Sequence, residues 1–119
     1  MSAHRLADRK CEACTEQTPR LESPRIAELL AEVPGWQVTA DGHRLSRSWR
    51  VRDFLTGLDF FRRIGEVAEA EDHHPDLHLV GYRNLTVELW THVAGGLTEN
   101  DFILAAKINE LEPPALKAH

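Results

Sequence analysis

Positive charge is in short supply in this chain. Lys and Arg number 14 against 19 Asp and Glu, giving a formal net charge of −5 with histidine neutral and a pI of about 5.8. Capture of nucleic acid or of an anionic membrane draws on a surplus of cationic side chains, so neither partner is expected. Long apolar runs are missing too. The richest stretch, Phe102 to Ala106, falls far short of the roughly 18 residues that a membrane span requires. The opening MSAHRLADRK lacks the apolar core of a secretory signal, and the expected location is therefore cytoplasmic. Cysteine is confined to Cys11 and Cys14 in the charged stretch KCEACTEQTPR. A zinc ribbon needs a second ligand pair, and a redox CxxC sits at a strand-to-helix junction, whereas this pair precedes any periodic element. What remains, 119 residues at 42% hydrophobic and 28% charged, has the size and balance of one globular domain.

Residues 1–22 carry no apolar periodicity and are expected to form a flexible tail, leaving 23–119 as a single domain. Ser23-Pro24 offers an N-cap with proline at the first helical position, and Ile26, Leu29, Leu30 and Val33 follow at helical spacing until Pro34-Gly35. Trp36–Val38 and Leu45–Val51 read as strands joined across Asp41-Gly42. Asp53 caps a longer helix to about Ala70. Its expected buried side is Phe54, Leu58, Phe61, Ile64 and Ala68, with Phe60 and Val67 widening the stripe. A second strand pair spans Leu77 to His92 around a turn at 81–84, and Leu85, Val87 and Leu89 alternate with Thr86, Glu88 and Trp90. One face of that strand meets the helices; the other, with Trp90, meets solvent, a ligand or a second subunit. A last helix opens at Thr98 with Phe102, Ile103, Ala106 and Leu111 as core positions, and Pro113-Pro114 ends it. The order α-β-β-α-β-β-α predicts an α+β fold: a four-stranded antiparallel sheet with helices packed on one face.

Chemistry concentrates in Glu71-Asp72-His73-His74-Pro75-Asp76-Leu77-His78 and at His92. Imidazole donates and accepts protons near neutral pH, and neighbouring carboxylates orient it, so the cluster suits acid–base work. A metal site is the rival reading, since His74 and His78 are four apart. Pro75 biases His74 away from helical dihedrals and no His-Glu-x-x-His pattern is present, so no metal is expected. On spacing alone the histidines could equally occupy a polar loop and strand edge. Thr98-x-x-Asp101 likewise reads as a capping box, which by itself explains Asp101.

Taken together, Glu69-x-x-x-His73-His74-Pro75, Tyr82, Thr91-His92 and Gly96-Leu97-Thr98-x-x-Asp101 resemble the pterin-4a-carbinolamine dehydratase family over roughly residues 23–111. The resemblance implies the small α+β fold of that family and its assembly into homodimers or homotetramers. It implies loss of water from a 4a-hydroxytetrahydropterin to give quinonoid dihydropterin, with no cofactor. It also implies site roles. His73, His74 and His92 would transfer protons and hold the pterin, with Asp101 completing the catalytic set. Glu69 would orient an imidazole at the substrate, and Pro75 and Thr91 would line the ring. Leu77 replaces a bulky aromatic common at that position, and Trp90 stands where smaller residues are common. The run Gly96 to Leu104 also resembles a dehydratase-like subgroup found with α-carboxysomes. That resemblance implies Rubisco assembly, with Rubisco as the partner, as the alternative to pterin chemistry. Coactivation of a transcription factor, as in some animal members, would be a third role.

Overall fold

The computed structural model describes residues 5–15 and 17–116. Its elements are α1 (Ser23–Leu30), β1 (Gln37–Val38), β2 (Leu45–Arg50), α2 (Phe54–Glu71), β3 (Asp76–Val80), β4 (Asn84–Leu89) and α3 (Glu99–Glu110), with short 3-10 turns at Leu6–Asp8 and His92–Ala94. The strands form one antiparallel sheet in the order β1-β2-β4-β3. This is the expected α+β architecture. The α1 boundary shifts slightly: Glu22 is the N-cap, and Ser23 and Pro24 are already helical. Proline fits there because its missing N–H would be unpaired anyway.

Register decides which side of the sheet is dry. Leu45 faces Leu89, Arg47 faces Val87 and Trp49 faces Leu85, while Leu77 and Leu79 continue the row on β3. Leu45, Trp49, Leu85, Val87 and Leu89 join Phe60 and Ile64 of α2 and Phe102, Ile103 and Leu104 of α3 in one core. Residues 100–106 of α3 are all buried, so this helix lies beneath cover on several sides rather than on one stripe. The open face carries Ser46, Ser48, Thr86, Glu88 and His78, all from the alternate positions.

Two expectations change. On α2 the buried positions are Gly57, Phe60, Ile64 and Ala68, whereas Phe54, Leu55 and Leu58 are exposed. The turn onto the sheet comes at Gly57, where a Cβ would stand 3.1 Å from Leu85 Cδ1. The helix therefore lies close to β4 along the Gly57–Phe60 side, and the phase of its apolar stripe follows that approach. Residues 5–15 and 17–22 also depart from the expected solvated tail. Leu6 is buried in the core, the Lys107 ammonium donates to the Ala7 carbonyl at 2.8 Å, and the Leu21 N–H reaches the Leu97 carbonyl. Asn100 clamps the peptide of Glu12, accepting its N–H at 3.0 Å and donating to its carbonyl at 2.6 Å. Leu6, buried, and Ala7, Cys11 and Leu21, partly buried against the core, follow no helical or strand period that the sequence would reveal. Residues 1–4, 16 and 117–119 lie outside the described residues.

Candidate active site

Helix α2 ends on Asp72, which takes the left-handed conformation at φ 52°. Its N–H returns to Glu69 and the His73 N–H to Ala68 at 3.2 Å. This closure turns the chain sharply back and brings His73 over the start of α3. There His73 Nε2 lies 2.7 Å from Asp101 Oδ1. Asp101 is fully buried, and its other oxygen accepts from the Thr91 hydroxyl and the Thr98 N–H, both at 2.9 Å. Thr91 and Thr98 also meet through their hydroxyls at 2.8 Å. The capping box is thus present, yet capping takes only one Asp101 oxygen; the other is aimed at His73.

Thr91 reaches Asp101 because it continues the inward row Leu85, Val87, Leu89 past the end of β4, and it is itself buried. A backbone bridge from Thr91 to Gly96 closes the loop between them. His92, one residue on, is exposed and stacks on Trp90, the ring centroids 3.7 Å apart. Trp90 Nε1 donates to Asp76 Oδ2 at 2.9 Å. The segment His73-His74-Pro75-Asp76 is therefore tied to Trp90-Thr91-His92 at both ends, through Asp101 and through Asp76.

His74 points the other way from α3. Its Nε2 lies 2.5 Å from Glu69 Oε2, one turn back on α2, with both side chains largely in solvent. Pro75 is half-buried. His78 does not join His74: its Nε2 approaches Glu88 at 3.6 Å on the open sheet face. Among the described residues, no group of three or more His, Cys, Asp or Glu side chains is placed to hold a metal ion. The sequence assigned no site role to Asp76, Trp90 or Thr98, although Trp90 was expected on the face that meets solvent, a ligand or a second subunit. The alternation that put Trp90 outward puts His92 on the same face, and that pairing at i and i+2 was the available signal.

With Asp101 as an ionised acceptor, Nε2 of His73 would carry the hydrogen of this bond and Nδ1 would remain outside it. Fold and site together define an α+β domain with oriented imidazoles at the joint between a helix end and a hairpin end, an arrangement fitted to proton transfer. The sequence matches the family described as Pterin 4 alpha carbinolamine dehydratase over residues 19–111, and the chain belongs to that family. It is 54% identical over 110 residues to "Pterin-4-alpha-carbinolamine dehydratase 2, mitochondrial" of Arabidopsis thaliana, which covers 90% of this chain and 59% of that longer protein. It is 41% identical to a "Putative pterin-4-alpha-carbinolamine dehydratase" of Methylococcus capsulatus, which covers 97% of this chain and all of the relative. The crystal structure of a transcriptional coactivator/pterin dehydratase from Brucella melitensis superposes with a TM-score of 0.70 at 34% identity, covering 76% of this chain and 95% of that one. Among the described residues, no helix is long and apolar enough to cross a membrane.

Proposed function

We propose that this protein dehydrates pterin-4a-carbinolamine, a 4a-hydroxytetrahydropterin, to quinonoid dihydropterin by histidine acid–base catalysis. The observation that carries the proposal is the His73–Asp101 pair, an imidazole held at 2.7 Å by a fully buried carboxylate. The reaction expels hydroxide from C4a while a ring nitrogen loses a proton. An acid at the leaving oxygen and a base at that nitrogen are sufficient, without a metal or redox cofactor. His73, His74 and His92 supply these two functions as a coupled set whose proton count belongs to the group. Asp101 fixes the tautomer and ring plane of His73, and Glu69 does the same for His74 at the mouth. Pro75 lines the flat pterin ring, whereas Thr91, expected to line it too, is buried and acts by bracing Asp101 from behind.

The protein works as a homo-oligomer on this reading. Supporting it, Leu77 and Val80 are exposed on β3, an edge strand of the sheet, which leaves apolar surface beside unpaired backbone. A role as a Rubisco assembly factor has no use for the orienting carboxylates on His73 and His74, so pterin dehydration is preferred. Single-turnover stopped-flow on freshly generated carbinolamine tests the proposal. The protein should accelerate loss of the 4a-hydroxyl, and His73→Ala or His74→Ala should slow it by on the order of a hundredfold. Dehydration no faster than in buffer, together with capture of a Rubisco large subunit, would replace this reading with the assembly role.

A further inference from the structure

His73 and His74 each have a carboxylate partner, but among the described residues the His92 ring has no hydrogen-bond partner; its defining contact is a stack. The imidazole and the Trp90 indole lie 3.7 Å apart between centroids with 27° between their planes. The Arg44 guanidinium carbon stands 4.4 Å from the same indole centroid. Two groups so close to one centroid would overlap if they shared a face, so the indole is held between the cation and the imidazole. Arg44 is fixed in turn by Glu88 at 3.0 Å and Asp76 at 3.6 Å, and Asp76 accepts the indole N–H at 2.9 Å. The clamp thus draws on three strands: Arg44 precedes β2, Asp76 opens β3 and Glu88 lies on β4.

We propose that Trp90, clamped by Arg44 and Asp76, is the positioning residue for His92, on the premise of the dehydratase reading above. Stacking does for His92 what hydrogen bonding does for the other two imidazoles, with one chemical difference. A carboxylate occupies one ring nitrogen, whereas a stack occupies a face and leaves both nitrogens at the exposed edge. His92 is therefore the member of the set able to take a proton at one nitrogen and release one from the other without losing its support. A small residue at position 90 would leave the ring free to rotate about χ1 and χ2 into solvent.

The test uses the full chain with Trp90→Ala, Trp90→Phe and Arg44→Met. Wild-type His92 ring protons, assigned by their loss in His92→Gln, should resonate upfield through the indole ring current and move downfield in Trp90→Ala. The same variant should lower kcat by about tenfold while KM changes by less than about twofold, because orientation rather than binding is lost. Trp90→Phe keeps a stacking face and should recover most of both signals. If Trp90→Ala fails to fold, Arg44→Met decides the matter: it should produce a partial downfield shift and a fall in kcat of about threefold. Wild-type turnover that Trp90→Ala leaves untouched, or that Arg44→Met leaves untouched where Trp90→Ala does not fold, overturns this proposal and spares the dehydratase reading. Absence of wild-type turnover overturns the dehydratase reading itself, whatever the spectra show.

Discussion

His73 and His74 are adjacent in the chain and each meets a carboxylate through Nε2, yet the two pairs are built differently. The Asp101 and His73 side chains are 0% and 11% exposed; those of Glu69 and His74 are 78% and 55% exposed. Asp101 is held by two further donors from Thr91 and Thr98. The inner pair is shielded from water and cross-braced, so its geometry exists before any ligand arrives, and an unmatched donor there is expensive. The outer pair competes with water and salt, and its side chains can yield to a ligand. Rigid and adaptable imidazoles side by side suit a site that must fix one proton position while admitting a bulky ring.

The largest expected effect comes from breaking the inner pair. Asp101→Asn keeps the shape but presents an amide N–H₂ where the donors of His73 or Thr98 need an acceptor, favouring the wrong imidazole tautomer. Dehydration should slow by about a hundredfold or more, measured by single-turnover stopped-flow. An unaffected rate would reduce Asp101 to a helix cap.

The cover over the inner pair is the next target, and it bears on what could be read in advance. The element order was legible from local periodicity and the histidine cluster from its spacing, whereas the spacing of Asp101 read only as a capping box and its site role came from the family resemblance. The packing of residues 5–15 and 17–22 was not legible, since Leu6, Ala7, Cys11 and Leu21 follow no helical or strand period and the cross-links come from Asn100, Lys107 and Glu71, far away in sequence. Trp90 was legible as an outward residue facing solvent, a ligand or a second subunit; that its partners are Arg44 and Asp76 depends on strand order, which spacing does not encode. Likewise the buried phase of α2 follows from Gly57 against Leu85, a tertiary contact. Leu6→Ala should cost about 2–3 kcal/mol, lowering the melting temperature by roughly 10 °C. Removing residues 1–22 should cost at least as much. An unchanged melting temperature for both would return this segment to the status of a solvated tail.

A smaller effect is expected in alkali. Burial, with the Glu71 carboxylate nearby, pushes the Cys11 thiol up from 9.0 to about 12. The unfolded chain then releases this proton at a lower pH than the folded one, so the folded state binds more protons above pH 9. Stability from this group is whole below about pH 9 and is lost as pH rises toward 12. Urea midpoints of wild type and Cys11→Ala, compared at pH 8 and pH 10.5, should converge as pH rises. A constant difference would mean that the thiol is not shielded, and that the cover beside Asp101 is open.

The outer pair should respond least: Glu69→Gln retains a hydrogen-bond acceptor for His74, and loss of the charge in solvent should slow dehydration by less than about tenfold. Measuring Asp101→Asn and Glu69→Gln side by side, in one single-turnover assay on pterin-4a-carbinolamine at fixed pH and ionic strength, tests the account most directly. It predicts a loss at Asp101 at least about ten times the loss at Glu69. Equal losses, or a larger one at Glu69, would contradict it.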